Sequence, residues 1–83
     1  MKALITVHYK QGILDPQGKA VHHALSSLGI SGVDDVRVGK HVVLYFPGAT
    51  KSDAESKTKE ACEKIIANPV IEDYEFELVE DSA

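Results

Sequence analysis

Asp34-Asp35-Val36-Arg37-Val38-Gly39-Lys40-His41-Val42-Val43-Leu44-Tyr45-Phe46 decides the reading of the fold. Valines and aromatic residues flank Gly39, which tolerates the positive φ of a two-residue turn. The stretch therefore reads as a hairpin. One strand covers Asp34 to Val38, a tight turn falls at Gly39-Lys40, and a second strand covers His41 to Phe46 before Pro47-Gly48 ends it.

On the N-terminal side, Ala3 to Tyr9 is β-branched and aromatic, with Ala3, Ile5, Val7 and Tyr9 on one face and Leu4, Thr6 and His8 on the other. Asp15-Pro16 marks a helix start, because the Asp15 carboxylate accepts from orphan amides and Pro16 has no amide to lose at the first helical position. Ala20, Val21, Ala24, Leu25 and Leu28 then recur at helical spacing up to a left-handed stop at Gly29. On the C-terminal side, Ser52 and Glu55 form a capping box for a second helix. Its stripe is Ala54, Thr58, Ala61, Cys62, Ile65 and Ile66, and its wet side carries the pairs Glu55–Lys59 and Glu60–Lys64. Asn68-Pro69 stops it. Tyr74, Phe76 and Leu78 alternate with Glu75 and Glu77 in a last, half-buried strand, and residues 80–83 are expected to fray.

The order is β-α-β-β-α-β, the ferredoxin-like α+β plan: a single domain over residues 1–83, with an antiparallel sheet and both helices on one face. Leu4, Val42, Leu44 and Phe46 make the other face only imperfectly polar. That pattern points to a homo-oligomer associating through the sheet.

Composition removes whole classes of function. The 9 basic residues against 13 acidic ones leave a net charge of −4, the wrong sign for a general nucleic-acid binder. No apolar run approaches the ~20 residues that span a bilayer, and no removable targeting segment is expected. One cysteine forms no intrachain disulfide and no cysteine-based zinc site, and it fits a reducing cytoplasm.

Catalytic chemistry is not apparent either. His22 and His23 diverge by about 100° around a helix and read as solvated. His8 and His41 read as structural strand residues, and Cys62 as a buried apolar filler. The adjacent acids Asp34-Asp35 and Glu72-Asp73 do not converge as an acid–base pair. Residues 12–18 lack the glycine spacing of a phosphate loop and the Arg and Asn of a small hydrolase. No nucleophile, base and oxyanion donor come together. The remaining classes are a binding, regulatory or assembly module, with a ferredoxin-like small-molecule-binding module as the alternative to assembly.

Three segments carry a resemblance: Lys10 to Ala20, with Leu14-Asp15-Pro16-Gln17-Gly18; Val36 to Lys40; and Ala61 to Tyr74, with Ala67-Asn68-Pro69-Val70-Ile71-Glu72-Asp73-Tyr74. In order and spacing they resemble the PurS family, the small subunit of phosphoribosylformylglycinamidine synthase. Ile13 and Ile65-Ile66 depart from the family's pattern only by apolar residues of similar size. The resemblance implies a non-catalytic subunit that forms homodimers or homotetramers in the cytoplasm. It docks a glutaminase subunit to a large synthetase subunit and supports ammonia transfer between them. ATP, Mg and glutamine are then used by the partners, and this chain binds no cofactor, metal, nucleic acid or membrane. The residues expected at partner contacts are Asp15, Pro16 and Gln17 in the first loop, Arg37 and Lys40 at the hairpin, and Asn68, Pro69, Glu72, Asp73 and Tyr74 near the last strand.

Overall fold

The most apolar strand takes the middle of the sheet. In the computed structural model, which describes residues 1–80, β1 (Lys2–Tyr9) pairs antiparallel with β2 (Lys40–Tyr45) on one side and β3 (Glu72–Val79) on the other. The strand order is β2-β1-β3. Helix α1 (Pro16–Ser27) links β1 to the segment before β2. Helix α2 (Lys51–Ala61) runs into a π-helical turn, Cys62–Ile66, before β3. The expected antiparallel sheet and two helices are thus present, in the order β-α-β-α-β. The fraying expected for residues 80–83 concerns mostly residues 81–83, outside the described ones.

The hairpin is the main departure. Residues 30–39 adopt no regular secondary structure, and Asp34 to Val38 is not a strand. Two of its amides are committed elsewhere. The Val38 amide donates to Asp15 Oδ2 at 2.7 Å, and the Val36 amide to Asp35 Oδ1 at 2.9 Å. Gly39 is not among the glycines with positive φ, so it makes no tight turn. Its missing side chain serves a close approach instead, because a Cβ there would lie 2.4 Å from the Val7 carbonyl oxygen.

Both helix starts follow from local chemistry. Asp15 caps α1, accepting from the Gly18 amide at 2.8 Å, and Pro16 occupies the first turn. Gly29, at φ 79°, ends α1 as expected, and the Ile30 amide closes onto the Leu25 carbonyl at 3.0 Å. For α2 the cap is Thr50 rather than Ser52: Thr50 is extended, and its hydroxyl accepts from the Asp53 amide at 3.2 Å. The Pro47-Gly48 turn leaves Thr50 extended just ahead of the helical run, so the hydroxyl two residues before Ser52 takes the role. The expected pairs Glu55–Lys59 and Glu60–Lys64 form at 3.7 and 2.7 Å.

The core lies between one sheet face and α2. Ala3, Ile5 and Val7 are fully buried beside Ala54, Thr58 and Cys62. Small residues at Ala3 and Ala54 let helix and strand approach closely. Burial of Ile5 and Val7 contributes about 1.5–3 kcal/mol each. Ile65, expected on the buried stripe, is 82 % exposed, because the π-helical turn rotates it away from the sheet.

Register corrects the sheet-face expectation. Ala3 faces Leu44 and Ile5 faces Val42, so Val42 and Leu44 share the core face with Phe76 and Leu78. The opposite face carries Lys2, Leu4, Thr6 and His8, with His41, Val43 and Tyr45 on β2 and Asp73, Glu75, Glu77 and Val79 on β3. The apolar residues taken as a reason for association through the outer face therefore belong mostly to the inner one.

Candidate functional site

The unfinished side of the inner face is where the structure departs most from a closed domain. α2 and the turn after it pack on β1 and β3, and α1 supplies no second layer over β2. Val42, Leu44 and Phe46 remain only partly buried. The stripe expected to bury α1 is correspondingly bare: Val21 is 42 % exposed and Leu28 75 %. A compact chain of this length has a radius of gyration of about 12 Å. Here it is 16.4 Å, and the longest dimension is 49 Å. The expectation that both helices cover the sheet within one chain is therefore not met. A helix and a sheet half-face that suit each other lie apart.

The displaced part, residues 13–38, holds together as an arm. Asp15 is its latch, bonded through Oδ1 to Gly18 and through Oδ2 to Val38. These two amides, Gly18's first, hold the buried Asp15 carboxyl below the usual carboxylate range, and Arg37 adds to them; burial acts in the opposite direction. Gly18 is required by contact, since a Cβ there would lie 2.2 Å from the Val36 carbonyl oxygen. Arg37 donates to the Ile13 carbonyl at 2.8 Å and pairs with Asp35 at 3.4 Å. His22 Nε2 lies 2.8 Å from the Val33 carbonyl oxygen. A carbonyl only accepts, so Nε2 carries the proton, and His22 is a half-buried arm contact rather than the solvated residue expected. His23 is exposed as expected.

Six of the residues expected at partner contacts line two depressions at the root of this arm. Gln17, Gly39, Lys40 and Glu72 line one depression of about 200 Å³, and Lys40 lies 3.9 Å from Glu72. Pro69, Glu72, Asp73 and Tyr74 line a larger one of about 420 Å³, together with Lys10 and Cys62. Asp15, Arg37, Asn68 and Glu72 also carry internal bonds. Asn68 shapes the turn: its side-chain oxygen accepts from the Val70 amide at 3.0 Å, and its own amide donates to Glu72 at 2.7 Å. Tyr74 donates to Glu63 at 3.4 Å, and burial, then the Glu63 charge, pushes its hydroxyl pKa up. Pro16, Gln17 and Pro69 are exposed.

Cys62 is buried, and burial followed by the neighbouring Glu63 pushes its thiol up, away from the reactive thiolate. Among the described residues, no three His, Cys, Asp or Glu side chains cluster to hold a metal. No helix among them is long and apolar enough to cross a membrane. What the arrangement offers is surface: an uncovered arm, an uncovered half-face and a polar root between them. Sequence reasoning missed the arm because an amphipathic stripe identifies a buried helix but not the chain that buries it. The signals were Gly18 and Gly39, whose contacts leave no room for a side chain.

Known proteins share this architecture and sequence. Residues 2–80 match the family model PurS, phosphoribosylformylglycinamidine (FGAM) synthase. The chain is 46% identical over 79 residues to the phosphoribosylformylglycinamidine synthase subunit PurS of Bacillus subtilis, covering 95% of this chain and 93% of that one. The solved structure of B. subtilis PurS superposes with a TM-score of 0.84 at 46% identity, over 95% of this chain and 98% of that one. A chain in the structure of PurLQS from Thermotoga maritima superposes with a TM-score of 0.81 at 33% identity, over 92% and 93% of the two chains. With the model matched across nearly its whole length and the same fold in its relatives, this chain belongs to the PurS family of phosphoribosylformylglycinamidine synthase.

Proposed function

We propose that this chain is the non-catalytic small subunit of a phosphoribosylformylglycinamidine synthase, acting in the cytoplasm as an adaptor between a glutaminase and an ATP-dependent synthetase. The enzyme converts formylglycinamide ribonucleotide, glutamine and ATP to formylglycinamidine ribonucleotide, glutamate, ADP and phosphate. Glutamine hydrolysis supplies ammonia, and ATP with Mg activates the formamide oxygen. Both steps belong to the partner subunits. Ammonia released into bulk water is protonated and diluted, so two separate active sites need to be held in register. An adaptor provides that alignment with surface rather than with catalytic groups.

The observation that carries this reading is the unfinished inner face. A chain whose first helix finds no seat on its own sheet is built for assembly. The nearest complementary partner is a second copy: the α1 stripe of one protomer covers Val42, Leu44 and Phe46 of the other, and its residues 34–38 lie along the free edge of β2. Such an exchange is reciprocal, gives a closed two-fold dimer and supplies the fourth strand that the sequence suggests. The similarity to a chain of T. maritima PurLQS supports the wider assembly.

Reconstitution tests the reading. The synthetase and glutaminase subunits are assayed with and without this chain, using either glutamine or ammonia as the nitrogen source. The expected result is a gain in the glutamine-dependent rate alone. No change in either rate contradicts the adaptor role.

A further inference from the structure

We infer that the outer face of the sheet is a docking surface for one amphipathic helix of a partner subunit, a helix with Lys or Arg along one edge and apolar residues beside them. The inference rests on the adaptor reading above. It concerns a face that the proposed exchange leaves open, since the exchanged helix lies on the other side of the sheet.

The face is organised in columns. Register places Glu77 beside Leu4, with Val43 on its far side, and Glu75 beside Thr6, with His41 on its far side; Lys2 ends the β1 column between Tyr45 and Val79. The β3 column is acidic, Asp73, Glu75 and Glu77, and none of the three has an ion-pair partner among the described residues. The neighbouring columns supply the apolar strip of Leu4, Val43 and Tyr45, of which Tyr45 is 72 % exposed. Between them lies a shallow depression of about 300 Å³.

Charge and dimensions select the occupant. A second copy stacked with its two-fold axis across the strands sets the acidic column on itself. With the axis along β1, the partner copy's acidic column comes over β2, which sets Glu77 against the apolar Val43 and Glu75 against His41. The face carries three carboxylates against the single ammonium of Lys2, so a basic partner complements it better than a second copy of the same net charge. Strands lie about 4.8 Å apart, so β2 and β3 are roughly 10 Å apart across the sheet. One helix, about 10 Å in diameter, fills that width. The acidic column runs about 14 Å from Asp73 to Glu77, and basic residues at i, i+4 and i+8 of a helix span about 12 Å.

The test uses the full chain carrying Glu75→Lys with Glu77→Lys, and separately Tyr45→Ala. All three side chains are exposed. Binding to the synthetase and glutaminase subunits is measured by titration calorimetry from low salt up to about 0.15 M, and the mass of each variant is measured by sedimentation. The expected result is affinity for one partner reduced about tenfold or more by the charge reversal, a shallower salt dependence in that variant, and an unchanged mass. Wild-type affinity in both variants overturns the docking face and leaves the adaptor reading intact. A change in self-association mass also overturns it, by making the face a contact between copies. Failure of the wild-type chain to bind either subunit overturns the adaptor reading together with the inference.

Discussion

The arm and the sheet body make opposite uses of the same short chain. In the body, Ile5, Val7 and Cys62 are fully buried, and both flanks of β1 are hydrogen-bonded. In the arm, backbone and carboxylate bonds are well satisfied around Asp15, but the apolar stripe of α1 faces outward. Hydrogen bonds fix the arm's shape, whereas burial fixes the body's place. Shape without burial is what a segment needs if its apolar surface is completed by another chain.

The largest effect falls in the body. Ile5→Ala leaves a cavity under α2 and is expected to cost about 2–5 kcal/mol in denaturant unfolding; a loss below 1 kcal/mol would erase the contrast between body and arm. Next is Gly18→Ala. Its Cβ meets backbone, which yields less readily than the tip of a side chain. The expected cost is about 1–3 kcal/mol, with loosening confined to residues 13–38 in amide exchange. Loosening that extends into β1 and β3 would show that arm and body are one unit.

Acid probes the latch more gently. Asp15 titrates below its unfolded value of 3.8. Its contribution is therefore fully present above that pH and is lost as the pH falls through the lower folded value. Amide exchange at Val38, corrected for the intrinsic pH dependence, is expected to speed up over that interval and to be pH-independent in Asp15→Asn. The same acid acceleration in Asp15→Asn would assign the transition to another group. The smallest effect is expected at Thr58, whose buried hydroxyl has no partner among the described residues. Thr58→Val keeps the shape and removes the unpaired group, so it should raise stability by about 1 kcal/mol. A loss of that size would mean that the hydroxyl is bonded after all.

Much of the body is legible in the sequence. Alternation in Ala3 to Tyr9 and Tyr74 to Leu78, the Asp15-Pro16 start and the Gly29 stop are local signals, and local chemistry satisfies them. The hairpin reading fails because a valine-rich stretch states a preference for extended backbone without naming its partner. Asp15, 23 residues away, claims the Val38 amide. The face assignment of Val42 and Leu44 fails for a related reason: which face is inward depends on register with β1, which alternation within one strand does not contain. At the candidate site, Gln17, Lys40, Pro69, Glu72, Asp73 and Tyr74 line depressions at the arm root, whereas Asp15, Arg37 and Asn68 spend much of their bonding capacity inside the chain.

Disulfide trapping tests the central claim of completion by a second copy most directly. Leu25→Cys and Leu44→Cys chains, each also carrying Cys62→Ala, are mixed under native conditions, oxidised and run on a denaturing gel. The account predicts a mixed cross-linked species of twice the 9.0 kDa chain mass that forms only when both variants are present. A Leu25→Cys/Leu44→Cys chain that cross-links only within itself and stays at 9.0 kDa would contradict it, by showing that the arm closes on its own sheet.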